Sequence, residues 1–224
     1  MTLENLSIGQ LASMEKMMPE VGGFPSRVLA LQNGYQSWTE RLYKDLNRII
    51  NDVIFPSASY RQDDEEDRFN LDIVGNLKMM GYQASHDRWS NGHPDIYVES
   101  TGYGYKWTAE SKIHRDYKYL LEGFKQICER YSSGFTGEDT GAVLIITKNI
   151  DIKSLMETWQ KLLSDDEDYK GKNVSVSDCE PDSFCFTSKH SHSVSGTQFE
   201  VRHIPISIKF NPTDKSARNR KTKI

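Results

Sequence analysis

The sequence predicts an α/β protein, a mixed β-sheet flanked by helices, and three stretches carry that expectation. Tyr35, Trp38, Leu42, Leu46, Ile49, Ile50 and Val53 recur at spacings of three and four, the period of a helix with one buried side. Two extended runs, residues 91–98 and 105–113, flank Ser100-Thr-Gly-Tyr-Gly104. The glycines of that turn accept positive φ and let the chain fold back as a hairpin. Ala142-Val-Leu-Ile-Ile-Thr147 is continuously apolar, as in a strand covered on both faces. The helical pattern after it, Asp151 as cap and Ile152, Leu155, Met156, Trp159 and Leu163 inward, is the crossover that an α/β sheet needs.

Composition bounds the rest. At 224 residues the chain is one domain with additions, or one and a half domains. It is polar, with 37% hydrophobic residues and a mean hydropathy of −0.65, yet four Trp, eleven Tyr and nine Phe can anchor a core. A net charge of −4 argues against a protein that merely coats nucleic acid, but not against an enzyme that gathers acids around a metal. Residues 215–224 carry five cations and no acid and read as a solubilising tail, with phosphate binding the alternative. Cys128, Cys179 and Cys185 are odd in number and form no CxxC pair, so a reduced, cytoplasmic protein is expected. No apolar run approaches a membrane span and no signal-peptide core opens the chain, so no membrane partner is expected.

Residues 1–32 are methionine-rich (Leu3, Leu6, Ile8, Leu11, Met14, Met17, Met18, then Val21) and suggest two short helices, the second at 26–32 capped by Ser26. A methionine stripe is adaptable core or a partner surface. The helix at 35–54 sets Arg41, Lys44, Asp45 and Arg48 on its other face and should end at Phe55-Pro56. It packs on the core, with a dimer interface as the alternative. Residues 63–81 form the next helix, with acids at its N-terminus, where the dipole favours them, and Gly81 past its end. Phe69, Ile73, Leu77 and Met80 share one sector, and Glu66 falls inside it. Glu65 lies at the edge and Asp63 well off. A carboxylate ending an inward stripe needs a cation or metal beside it.

A short strand at 82–86 leads into Asp87-Arg-Trp-Ser-Asn-Gly92. There Arg88 can touch a nucleic-acid backbone and Trp89 can stack a base; the plainer reading is a solvated loop anchored by its tryptophan. The helix at 117–132 buries Tyr117, Leu120, Leu121, Phe124, Ile127, Cys128 and Tyr131. Tyr119, Gln126 and Arg130 fall on the opposite face, where Gln126 and Arg130 either contact phosphates or are ordinary surface. Residues 164–172 read as a linker, followed by strands at 174–176, 183–187, 198–203 and 205–210. Cys179, Cys185, His190, His192 and His203 fit no common zinc spacing.

The hairpin carries the chemistry. Side chains alternate along a strand, so Glu110 and Lys112 share one face and Ser111 takes the other, while Asp95 opens the partner strand just after Pro94. Pairing brings two carboxylates and an ammonium to one patch, a poor structural filler and a good site for a hard cation with oxygen ligands. No serine or cysteine triad and no phosphate-binding Gly-x-x-x-x-Gly-Lys loop is found.

Pro94-Asp95, fourteen intervening residues, then Glu110-Ser111-Lys112 resembles the signature of the PD-(D/E)xK nuclease superfamily. The order also fits over residues 63–147: an acidic helix, a PD strand, an ExK strand, a helix, a strand. The resemblance implies a restriction-endonuclease-like αβββαβ core at 61–165. A helical extension at 1–60, a β-rich extension of the same domain at 166–212 and a basic tail at 213–224 would surround it. It implies Mg²⁺, with Mn²⁺ able to substitute, held by Asp95, Glu110, the Ser111 carbonyl and an acid of the preceding helix, Glu66 with Glu65 the alternative, and with Asp95, Glu110, Lys112 and Glu66 catalytic. The implied activity is DNA endonuclease, in a setting of restriction or anti-phage defence. Exonuclease-like members carry Gln-x-x-x-Tyr on the following helix; here Gln126 is followed by Arg130 and the tyrosine comes one place late, at Tyr131. Double-strand cutting implies a homodimer. The competing expectations are a catalytically silent subunit that docks a nucleic-acid-processing partner, and an unrelated α/β enzyme whose carboxylates form ordinary salt bridges.

Overall fold

A computed structural model describes residues 5–15, 17, 22–166, 175–179 and 184–213. Leu3, Met18, Val21, most of the linker and the basic tail at 215–224 lie outside these residues. The chain is α/β, built on one seven-stranded mixed sheet. In order the elements are α1 (Ile8–Met14), α2 (Phe24–Gln32), α3 (Tyr35–Ile49), α4 (Glu66–Met79), β1 (Gln83–Ser85), β2 (Ile96–Ser100), β3 (Tyr105–Ile113), α5 (Tyr117–Gln126), β4 (Thr140–Thr147), α6 (Ile152–Asp165), β5 (Ser175–Asp178), β6 (Phe186–Ser191) and β7 (Gln198–Ser207). The strands lie in the order β1-β2-β3-β4-β7-β6-β5. β3, β4 and β7 run parallel, and the flanking pairs are antiparallel.

Both faces of the sheet are covered, which explains the unbroken apolar run of β4. Ala142, Leu144 and Ile146 join a core with Trp38, Leu42 and Leu46 of α3 and Phe69, Ile73 and Leu77 of α4. Val143 and Ile145 point the other way, into a second core with Leu120 and Phe124 of α5 and Leu155 and Trp159 of α6. α3 is therefore part of the main core. No helix among the described residues is long and apolar enough to cross a membrane.

Several expectations are corrected. Ser26 does not cap α2. Gly23, left-handed at φ 73°, precedes Phe24 as the cap, and Ser26 gives its N–H and hydroxyl to the carboxylate of Glu15 (2.8 and 2.6 Å). Pro56 does not stop the helical path. α3 passes through a wide π turn at Ile50–Ile54 into a 3₁₀ turn at Phe55–Tyr60, where a proline in the first turn forfeits no hydrogen bond. Asp45 is not on a solvated face; it is buried beneath Arg27, Arg41 and Tyr82. The strands expected at 198–203 and 205–210 are one. Ile208 donates toward β4, so even-numbered N–H groups of β7 face β4 and position 205 faces the β6 side. β6 pairs only as far as His203, so Pro205 withholds no ladder bond. Finally, Cys179 and Cys185 are joined in a disulfide, leaving Cys128 as the buried thiol. The expectation of fully reduced cysteines fails because β5 pairs with β6 in a register that sets Asp178 opposite Phe186 and so brings the neighbouring Cys179 and Cys185 together.

Candidate active site

β2 and β3 pair antiparallel, and the register puts Ile96 opposite Ala109, so Asp95 falls beside Glu110. There β2 ends, while β3 continues through Ile113 against β4 alone. The outer edge of β3 is thus bared, and its N–H groups need acceptors. Two carboxylates supply them. Asp95 Oδ2 accepts from the Ser111 N–H (2.8 Å), and Glu66 Oε1 accepts from the Ile113 N–H (2.8 Å). The N–H and C=O of a strand residue face one edge, so the Ser111 carbonyl faces this edge too.

Glu110 and Lys112 share the sheet face covered by α5. Lys112 Nζ donates to Glu110 Oε1 (2.6 Å) and lies 4.0 Å from Glu66 Oε2. Gly123 of α5 makes room for them, since a Cβ there would sit 2.9 Å from Lys112 Cγ. Glu110 Oε2 is buried and has no hydrogen-bond partner. Burial, and then the neighbouring Asp95, push the Glu110 carboxyl up to about 7 against the pull of Lys112. Burial likewise raises Asp95, opposed by the Ser111 N–H and Lys112. Burial works against the Lys112 charge, but Glu110, Asp95 and Glu66 outweigh it and hold the ammonium above its ordinary range.

A supporting layer, Tyr119 and Asn70, goes beyond the residues singled out in the sequence. Tyr119, expected on the face away from the core, instead turns inward and donates to both oxygens of Glu66 (2.9 and 3.0 Å), with the Arg115 guanidinium 3.5 Å from its ring centre. Asn70, one helical turn after Glu66, is buried and accepts from the Ser111 hydroxyl (2.5 Å). Its position on the inward stripe, four residues past Glu66, was the signal available.

Gln126 meets the displaced tyrosine. α5 gives way to a π turn at Ile127–Tyr131, whose i→i+5 spacing absorbs the extra residue. Gln126 Nε2 donates to the Tyr131 hydroxyl (3.2 Å). Burial, and then Glu110, push the Tyr131 phenol up to about 12. Arg130 is exposed, with its guanidinium 5.6 Å from the Tyr131 ring centre. Arg88 is held elsewhere, paired with Glu99 and lying over the Tyr97 ring. Its guanidinium is already answered by a carboxylate, which speaks against a free phosphate contact. Trp89 is 70% exposed and does not anchor its loop.

Asp95, Glu110, Lys112 and Glu66 are therefore brought together. A cleft of about 670 Å³, lined by Asp63, Asp64, Glu65, Arg115 and Tyr119 among others, opens beside Glu66. Among the described residues no three His, Cys, Asp or Glu side chains form a ready-made metal cage, and one Glu110 oxygen is held by Lys112. The donor chemistry nonetheless suits a hard divalent cation: carboxylate oxygens, an edge carbonyl and a buried carboxylate oxygen with nothing opposite it. The chain matches no family model, no curated protein and no solved structure.

Proposed function

We propose that this protein is a metal-dependent nuclease of the PD-(D/E)xK type that hydrolyses DNA phosphodiester bonds, as an endonuclease of restriction or anti-phage defence. The observation that carries this reading is the partnerless buried oxygen of Glu110, set among Asp95, Glu66 and Lys112 where β2 stops and β3 runs on. The element order α4–β1–β2–β3–α5–β4 supports it, being the αβββαβ order of a restriction-endonuclease-like core.

Asp95, Glu110, the Ser111 carbonyl and Glu66 would hold Mg²⁺ or Mn²⁺. When bound, the ion supplies Lewis acidity toward the phosphate and a more acidic water. Asp95 has a second role, because its bond to the Ser111 N–H locks the strand on which Glu110 and Lys112 sit. In the metal-free protein Glu110, Asp95 and Glu66 hold the Lys112 ammonium above its ordinary range, and it is placed to neutralise the charge that develops on the phosphate or to orient the attacking water. Tyr119 and the Ile113 N–H orient Glu66. Nicking of plasmid DNA with Mg²⁺ or Mn²⁺, lost in Asp95→Asn and in Lys112→Ala, is the expected result; cutting that survives both substitutions removes the basis of the reading.

The short Glu110–Lys112 contact favours a second reading, a silent subunit in which the ion pair has replaced the metal. That reading expects no heat on titration with Mn²⁺ and no cleavage, together with capture of a nucleic-acid-processing partner.

A further inference from the structure

We propose that Trp89 is a stacking platform for an unpaired nucleobase next to the scissile phosphate, so that even a duplex such as plasmid DNA is cut where a base is locally unpaired. This deepens the nuclease reading and rests on it. The loop that carries Trp89 runs directly into Pro94 and Asp95. Asp87 and Asn91 are held at left-handed φ of 55° and 56°, so the loop has a defined shape. It is braced from several sides. Arg88 pairs with Glu99, His93 Nδ1 lies 3.0 Å from Asp87 Oδ1, and the Ser90 hydroxyl donates to the Tyr131 carbonyl (3.3 Å). Gly92 lies so close to Tyr131 that a Cβ would come within 2.7 Å of its ring.

None of this bracing uses the largest apolar side chain of the loop. Trp89 stands 70% exposed, its ring edge-on to His93 at 5.1 Å. Trp38, Trp107 and Trp159 are all buried. A braced, exposed indole offers a flat face to a base, and stacking of this kind tolerates any sequence. A base inside a duplex has both faces covered by its neighbours, so the partner is unpaired. Arg130, exposed and 3.4 Å from where a Gly92 Cβ would stand, is placed to meet the adjoining phosphate.

The part of the emission change on binding that is lost in Trp89→Phe reports on Trp89. The test follows tryptophan emission of the full chain in EDTA titrated with unlabelled oligothymidylate of ~12 nucleotides, the matching oligouridylate and a blunt hairpin duplex, and reads affinities separately from the anisotropy of fluorescein-labelled strands. Quenching by either single strand but not by the duplex is expected, and the tighter of the two identifies DNA or RNA as the source. Trp89→Ala should weaken single-strand binding ~10-fold or more, and Trp89→Phe should recover most of it. Equal affinity of Trp89→Ala and the natural chain, or unchanged emission at saturation, overturns the proposal. Adding Mg²⁺ separates the two ideas. Quenching without strand cleavage sinks the nuclease reading and leaves the platform, whereas cleavage without quenching sinks the platform alone.

Discussion

Asp45 and Glu110 are both buried carboxylates, and their surroundings answer them differently. Asp45, 1% exposed, receives Arg41 (2.7 and 3.2 Å), Arg27 (3.4 Å) and the Tyr82 hydroxyl (2.8 Å). Such a network is structural, and it ties α2 to α3. Asp45→Ala leaves two guanidinium groups facing a hole, so a loss of ~3–5 kcal/mol in urea unfolding is expected. Glu110, 3% exposed, has one oxygen answered and one bare. With its carboxyl raised from 4.5 to about 7, the folded metal-free protein binds that proton more tightly than the unfolded chain. The contribution to stability is therefore full below the unfolded value and declines as pH rises toward about 7. Thermal melts in EDTA should show that decline, and Glu110→Gln should flatten it. Divalent cations compete with the same proton, so the stabilisation by Mn²⁺ should be larger at about pH 8 than at about pH 6.

α5 is the element on which the site turns. Its amphipathic pattern and its cap, Asp116 accepting from the Tyr119 N–H, belong to an ordinary helix. Two departures make it specific. Gly123 lets it settle onto Glu110 and Lys112, and the π turn after Gln126 rotates Tyr131 back toward Gln126. Gly123→Ala should gain up to ~1 kcal/mol of helix propensity while pushing the Lys112 stem aside. Overpacking against the Lys112 stem costs ~1–3 kcal/mol, so stability should stay level or fall slightly, while plasmid cleavage should fall ~10-fold or more, because small displacements at a reacting centre are costly. Parallel melting and nicking assays check both halves. Neither departure was legible beforehand. A glycine within a helical stretch names no neighbour, and a 3.6-residue period carried past Gln126 puts Arg130, not Tyr131, in register.

Across the whole molecule, one sheet with two cores holds the N-terminal helices, the candidate site and the C-terminal strands together. The Cys179–Cys185 disulfide joins the end of β5 to the start of β6, with the Arg202 Nε donating to Cys179 Sγ (3.2 Å). Thiol titration in denaturant should count one reactive cysteine, Cys128, without reductant and all three after reduction. Three thiols at the outset would return the protein to the fully reduced state that cysteine number alone suggested.

Much of the architecture was determined by the sequence alone, because periodicity and alternation are local. The helices at α3, α4, α5 and α6, the β2–β3 hairpin and the buried β4 follow from spacings within a few turns or a few strand residues. The two-residue step from Glu110 to Lys112 put them on one face wherever β3 ended up. Tertiary structure alone decided what those groups meet. Where β2 stops, how Asp95 and Glu66 close the bare edge of β3, which residues surround Asp45 and which cysteines bond all depend on segments tens of residues apart. Burial and through-space charge set the ionisation of Glu110 and Lys112, and neither is encoded in any single stretch of chain.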